Sequence, residues 1–259
     1  MIIKYIKVKT ALSESGLKEI DYSLNPYLGC VYSCTYCYAP YFTPNKEASE
    51  NWGKVVVIKD NLLEVLRKEV KVKRKGTVGI STITDPYQPI EALRKLTRES
   101  LKILLESNFR VSIQTKSPLV LRDIDILERY KKNVDVGFTI TSLNWIEPNA
   151  PPPKARIKAL ERISEVVESW LFLGPIIKGV NDDVEEIIDE VSNLRIRIIF
   201  DRFRKYKGLK YDEGDSKWWS KVRESILNKC KRYNLECHEE SEDWIFEKRK
   251  TYKTIFDFT

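Results

Sequence analysis

The strongest constraint on the fold is an alternation that begins after Tyr22. Six short β-type runs, at residues 23–28, 77–82, 110–115, 135–140, 170–175 and 195–201, are rich in Val, Ile and Phe, as buried strands are. Between them lie stretches of helical period. Residues 61–73 put Leu62, Leu63, Leu66 and Val70 on one face, and residues 94–107 do the same with Leu101, Leu104 and Leu105. Residues 119–130, 153–169 and 182–193 follow the same pattern, with Asp60 read as the cap of the first helix and Asn181-Asp182 as the cap of the last. Pro151-Pro152-Pro153 is read as a helix entry. Strands each followed by a helix imply an α/β fold: one parallel sheet with right-handed crossovers, either doubly wound or curled into an incomplete barrel. Periodicity does not choose between the two. Both place ligands at the C-terminal ends of the strands, so functional residues are expected just after each run.

The richest local signal follows the first run: Asn25-Pro-Tyr-Leu-Gly-Cys30-Val-Tyr-Ser-Cys34-Thr-Tyr36-Cys37-Tyr38-Ala-Pro40. Three of the chain's five cysteines fall within eight residues, spaced C-x3-C-x2-C. An odd, clustered set argues for a reducing compartment and a ligand group, not for a disulfide scaffold. Three thiolates are one short of the set that closes a structural zinc site or saturates an iron–sulfur cube. The only histidine, His238, is far away in sequence. One corner of the metal would therefore be open to a substrate or cofactor. The alternatives are a zinc knuckle completed by a distant ligand, or clustered core cysteines.

C-x3-C-x-aromatic-C after the first strand of a βα repeat resembles the radical S-adenosylmethionine (SAM) superfamily. Further motifs occur in order: Thr84-Asp85-Pro86-Tyr87-Gln88-Pro89, Thr115-Lys116-Ser117, Glu147-Pro148 with Pro151 and Arg156, Gly174-Pro175-Ile176-Ile177, and Asn181-Asp182. With these the resemblance extends to the group related to spore photoproduct lyase, the DNA repair photolyase-like proteins, over roughly residues 20–185. It implies a partial (β/α)6 barrel with a C-terminal extension. It also implies a [4Fe–4S] cluster, SAM as cofactor, a one-electron reductant as partner, and hydrogen abstraction by a 5′-deoxyadenosyl radical.

Roles follow from the matching positions. The resemblance makes Cys30, Cys34 and Cys37 the cluster ligands. It sets Tyr36 near the SAM adenine, and makes Tyr38 a residue close to SAM that can relay a radical. Thr84 and Lys116 match SAM contacts, the ammonium suiting the methionine carboxylate. Thr139 aligns with a further SAM contact, with Ser142 as a competing choice. Gly174 and Ile176 match a backbone segment that flanks the adenine. Asp85 either caps the turn before Pro86 or faces the substrate as a catalytic group, and Gln88 is equally open. Glu147 and Arg156 are read as an ion pair holding the fourth crossover. The chain departs from the lyase at Thr82, where the lyase carries a hydrogen-donating cysteine; an O–H bond is too strong to replace S–H easily. Classical spore photoproduct repair is therefore not expected.

The organisation implied is an N-terminal extension (1–22), the barrel (23–201) and a charged, aromatic C-terminal extension (202–259) with one helix at 216–233. Cys230 and Cys237, beside His238, are read as buried free thiols by default, with a disulfide or a metal site as alternatives. The net charge of +7 includes two basic runs, 67–75 and 202–210. The second interleaves Arg202, Arg204, Lys205, Lys207 and Lys210 with Phe203 and Tyr206, and Trp218, Trp219 and Trp244 follow. Cations among aromatics can hold phosphates and stack bases, so a nucleic-acid substrate competes with peptides and metabolites. The rival function from another class is a non-catalytic nucleic-acid-binding protein with a structural metal. The longest apolar runs, such as 170–173, are far below the roughly 20 residues a membrane helix needs. The N-terminus lacks a signal-peptide pattern, so a cytoplasmic protein is expected. One Met, one His and two Gln give a thermophile-like composition.

Overall fold

All six strand-like runs form strands, and those of the barrel lie side by side in chain order. The computed structural model describes residues 1–181, 184–206 and 208–240. Strands β1 (Ile2–Ile6), β2 (Ser13–Glu14), β3 (Tyr22–Leu24) and β4 (Tyr27–Leu28) come first, then α1 (Ala39–Phe42) and α2 (Lys46–Glu50). Next are β5 (Val55–Lys59), α3 (Leu62–Val72), β6 (Thr77–Ile80), α4 (Glu91–Arg94), α5 (Leu96–Glu106) and β7 (Arg110–Thr115). A 3-10 turn, Pro118–Asp123, precedes α6 (Ile124–Arg129). The chain continues through β8 (Val134–Ile140), α7 (Pro153–Ser164), β9 (Glu168–Ile176), α8 (Glu185–Val191), β10 (Arg197–Arg202), α9 (Ser216–Tyr233) and β11 (Glu236–Glu239).

The large sheet runs β2-β3-β6-β7-β8-β9-β10-β11. Every neighbouring pair from β3 to β11 is parallel, and β2 joins β3 antiparallel. The strand order never reverses, as it must in a doubly wound sheet. The sheet instead curls into an open α/β barrel, which the six-unit expectation describes with β11 added beyond it. The alternation within each strand shows why. In β8, Val134, Val136, Phe138 and Ile140 are buried against the helices, while Asp135 and Thr139 face an internal cavity. In β7, Val111 and Ile113 take the helix side, and Ser112 and Gln114 the cavity side. Each fully buried aliphatic contributes about 1.5–3 kcal/mol, so one face of the sheet carries the core while the other is free to be polar.

Several local expectations are corrected. The run at 23–28 splits: β3 enters the barrel, and β4 turns away to pair with β5 in a small sheet ordered β1-β5-β4. The residues expected to precede the barrel thus supply β1, paired to β5, and β2. The fourth expected helix, α7, ends at Ser164, short of residue 169, because Glu168 and Ser169 already pair with Asp135 and Val136 of β8. Asp60 does not cap α3; Asn61 holds that place, and its side chain pairs with the Val8 backbone in both directions. Asn181 does not cap α8. It is fully buried, accepts from the Ile177 amide (2.6 Å) and donates to the Pro175 carbonyl (3.0 Å), locking the loop after β9. Its expected partner Asp182 lies outside the described residues. Pro153 does open α7, and α9 spans the expected 216–233.

Cys230 and Cys237 form a disulfide, not free thiols or a metal site. Asn234 ends α9 in the left-handed region (φ 54°) and folds β11 back beside it, leaving the two Cα atoms 6.2 Å apart, within bridging range. His238 lies 3.0 Å from the Glu236 carboxylate. Among the described residues, no helix is long and apolar enough to cross a membrane.

Candidate cofactor site at the strand ends

The cysteine loop leaves β4 through Gly29, whose φ of +85° lies in the left-handed region. A Cβ there would sit 2.3 Å from the Val55 carbonyl oxygen of β5. Only glycine permits both the turn and the approach. We expect Gly29→Ala to cost at least the ~1–3 kcal/mol typical of a strained backbone residue, read as a lowered unfolding temperature, and to weaken iron retention. Unchanged values of both would mean that the loop does not need this geometry.

The loop is pinned on three sides. Thr84 Oγ1 (2.8 Å) and Gln88 Nε2 (3.0 Å) donate to the Gly29 carbonyl, and Gln88 Oε1 accepts from the Val31 amide (3.2 Å). The fully buried Gln88 is thus a clamp of the loop, which settles its role. Tyr36 donates its hydroxyl to Glu147, and Thr141 donates to the same carboxylate oxygen at 3.0 Å. Thr35 Oγ1 and Tyr211 Oη share a 2.5 Å hydrogen bond from the segment after β10. Cys30, Cys34 and Cys37 are free thiols that line one cavity of about 1800 Å³. Burial pushes all three up, Cys37 to about 11. Metal binding would have to displace those protons, because the thiolate is the ligand.

Of the residues singled out from the sequence, the cavity wall brings together the three cysteines, Tyr36, Tyr38, Thr84, Asp85, Lys116 and Thr139. Lys116 Nζ stands 3.7 Å from Glu147 and 5.8 Å from the Tyr36 ring centroid. Thr139 Oγ1 accepts from Gln114 Nε2 at 3.0 Å. Tyr38 donates to the Thr82 carbonyl at 3.0 Å and keeps an exposed ring. Ser142, Gly174 and Ile176 do not line the cavity. Ser142 Oγ accepts from the Asn144 amide, the Gly174 carbonyl lies 2.9 Å from Thr141 Oγ1, and Ile176 is buried in the core. Pro175, between the latter two, does face the cavity.

Asp85 is buried and fully engaged. It accepts from the Tyr87 amide (2.9 Å), Thr115 Oγ1 (2.7 Å) and the Lys116 amide (2.7 Å), so it ties the loop after β6 to the loop after β7. Burial raises its pKa, and these donors oppose the rise. Arg156, also fully buried, is ion-paired with Glu147 and donates to the Thr139 carbonyl at 3.2 Å, as expected of a pair holding the fourth crossover.

Two cavity residues carried no sequence signal strong enough to be found. Ser81, the residue after β6, has φ 64°, and its buried hydroxyl has no partner. Trp52 has a buried, unpartnered indole nitrogen; the Gly53 that follows was the only hint of a close approach there. The tail is also clarified. Phe203 is buried against Tyr36 and Ile177, and Trp219 is buried with its N–H on Glu239, so neither is a stacking surface. Tyr206 packs with Tyr38, Tyr41 and Phe42 at the mouth, its centroid 5.5–6.2 Å from theirs. Lys207 and Trp244 lie outside the described residues.

The Radical SAM superfamily profile matches residues 24–191. The chain belongs to the radical SAM superfamily. An uncharacterized protein of Methanocaldococcus jannaschii is 37% identical over 197 residues, covering 74% of this chain and 73% of the relative. One of Acidianus two-tailed virus is 29% identical over 228 residues, covering 80% and 75%. Spore photoproduct lyase, solved with a dinucleoside spore photoproduct, superposes with a TM-score of 0.70 at 12% identity, covering 92% of this chain and 81% of that one. Streptococcus suis SuiB bound to S-adenosylmethionine gives 0.60 at 16%, covering 86% and 51%. These two likenesses establish the fold.

A superfamily member is expected to hold an iron–sulfur cluster, and the thiols present fit one. Among the described residues no three Cys, His, Asp or Glu side chains converge closely enough for a single metal ion. A single zinc needs such convergence. A cube does not, because each thiolate takes its own iron.

Proposed function

We propose that Cys30, Cys34 and Cys37 hold a [4Fe–4S] cluster whose open corner receives SAM, and that the chain abstracts hydrogen from a substrate entering at the mouth. The observation that carries the reading is that three free thiols of one short loop line the large cavity inside the barrel. Bound there, the cluster supplies the electron that cleaves SAM to methionine and a 5′-deoxyadenosyl radical.

The chain's own residues hold and orient. Lys116 is the cation for the SAM carboxylate, with Glu147 fixing its position. Tyr36 is the aromatic wall toward the adenine, and Thr139, not Ser142, is the contact from β8. Thr84 acts through the Gly29 carbonyl, so it shapes the loop more than it touches a ligand. Asp85 is a positioning residue that sets the backbone of Lys116, not an acid or base. Tyr38 stands at the mouth, where it would meet substrate.

The mouth favours a nucleobase-bearing substrate. Tyr38, Tyr41 and Phe42 are exposed, packed on Tyr206, and flanked by Arg204 on the cavity wall. Exposed rings beside cations suit single-stranded nucleic acid. With Thr82 in place of a thiol, the photoproduct itself is not the substrate.

The test is anaerobic reconstitution with iron and sulfide, followed by reductant, SAM and single-stranded oligonucleotide. We expect 5′-deoxyadenosine, stimulated by the oligonucleotide in a salt-sensitive way, and no conversion of dinucleoside spore photoproduct to thymidine. An assembled cluster without SAM cleavage would sink the enzymatic reading. Stimulation by peptides alone would sink the nucleic-acid reading, and conversion of the photoproduct to thymidine would restore the lyase.

A further inference from the structure

Trp52 is an unlikely place for waste. It packs in one cluster with Cys30, Tyr32 and Cys34, and it lines the same cavity as the three thiols. Its Nε1–H is buried from solvent and has no hydrogen-bond partner. A buried indole N–H normally finds one, and leaving it unmade costs about 1–3 kcal/mol. Trp170, the other tryptophan on the cavity wall, obeys the rule: its N–H goes to Asp135 at 2.9 Å.

The backbone brings Trp52 there by construction. Gly53 adopts φ +84°, and a Cβ on it would sit 2.7 Å from Ser33 Cβ and Oγ. Ser33 itself has φ 44° and immediately precedes Cys34. Two left-handed residues therefore let the turn before β5 press against the middle of the cysteine loop. Their joint effect is to seat an indole among the thiols with its donor unspent.

We infer that Trp52 donates its indole N–H to a sulfur of the cluster held by this loop, and so sets the cluster's reduction potential. The inference rests on the reading of Cys30, Cys34 and Cys37 as cluster ligands. The physical basis is that hydrogen bonds to cluster sulfurs stabilise the more negative, reduced state. Removing the donor makes reduction harder. Trp52 is a positioning and tuning residue, since it touches the ligand set and not the substrate.

Two measurements test this on the full-length reconstituted protein. The first is a redox titration of wild type and Trp52→Phe, followed by electron paramagnetic resonance. At a fixed solution potential the reduced-to-oxidised ratio of the variant should fall about tenfold, which is a midpoint lower by ~59 mV for one electron. Iron content should be unchanged, because phenylalanine keeps most of the packing. The second uses wild type alone, so it stands even if the variant does not retain iron. Protein grown with 15N-indole tryptophan should show a 15N coupling to the reduced cluster and a deuterium-exchangeable proton beside it.

A midpoint that does not move, with iron intact, overturns the inference. So does a wild-type cluster without the 15N and exchangeable-proton couplings. If no cluster assembles in wild type, the cluster reading itself has failed, which is a different outcome.

Discussion

Cys34→Ala is expected to reduce SAM cleavage to the reagent background. The fall should exceed the ~100-fold that loss of an outer-shell partner of a metal site costs, because it removes a ligand and not a support. Two thiolates would leave two corners of the cube without protein ligands, and Cys34 is the middle of the three. Iron content and visible absorbance should fall together with 5′-deoxyadenosine. The apo protein should unfold at nearly the wild-type temperature, because Cys34 is only partly buried and its backbone carbonyl, which accepts from Cys37 at 3.0 Å, is kept. Loss of activity with full iron would mean that this thiol does something other than hold the cluster. Retained activity would remove the loop from the mechanism.

Arg156→Met carries the largest expected effect on stability. Arg156 is 0% exposed and its partner Glu147 is 2% exposed. Breaking a buried pair from one side costs about 3–5 kcal/mol, because Glu147 then stays buried with only Lys116, 3.7 Å away, to balance it. That is a large part of the ~5–15 kcal/mol that holds an ordinary domain folded. At roughly 2–4 °C per kcal/mol for a chain of this size, the unfolding temperature should fall by about 10 °C. The double variant Glu147→Gln/Arg156→Met should recover much of the loss, since no lone charge remains. If the single and double variants unfold alike, the pair is not what the crossover depends on. Glu147 also receives the Tyr36 hydroxyl and stands beside Lys116, so the single variant should weaken SAM binding even below its unfolding temperature.

The parts of this protein that sequence reveals are the parts that physics writes locally. The cysteine loop is a contiguous pattern, and the six barrel runs are short apolar segments separated by stretches of helical period. The polar inner face of the barrel was also present in the sequence, although the strand order that excludes a doubly wound sheet was not. Arg110-Val111-Ser112-Ile113-Gln114-Thr115 alternates polar and apolar, as a strand with one wet face must. Read only as rich in branched residues, it looked buried on both sides. Other features are written across the chain and could not be read from a window. Gln88 reaches back to Gly29, Asn181 to the Thr141 carbonyl after β8, and Asn61 to Val8. The short strands were invisible for a different reason. β1 is mostly exposed despite Ile2, Ile3 and Tyr5, and β11 reads Glu-Cys-His-Glu, so neither shows an apolar period. Residues Asp85 and Ser142 were flagged by motif, and their hydrogen bonds show loop-building roles that a motif alone does not distinguish from contact with a ligand.

An open barrel keeps two free margins that a closed one would not have. Among the described residues they are β2, two residues long, and β11, four residues long with two glutamates. A free strand margin is a template on which another chain can form cross-strand bonds and seed aggregates. Short length and charge remove that hazard while leaving the gap itself open. The opening of the barrel can therefore persist without making the protein adhere to its own copies.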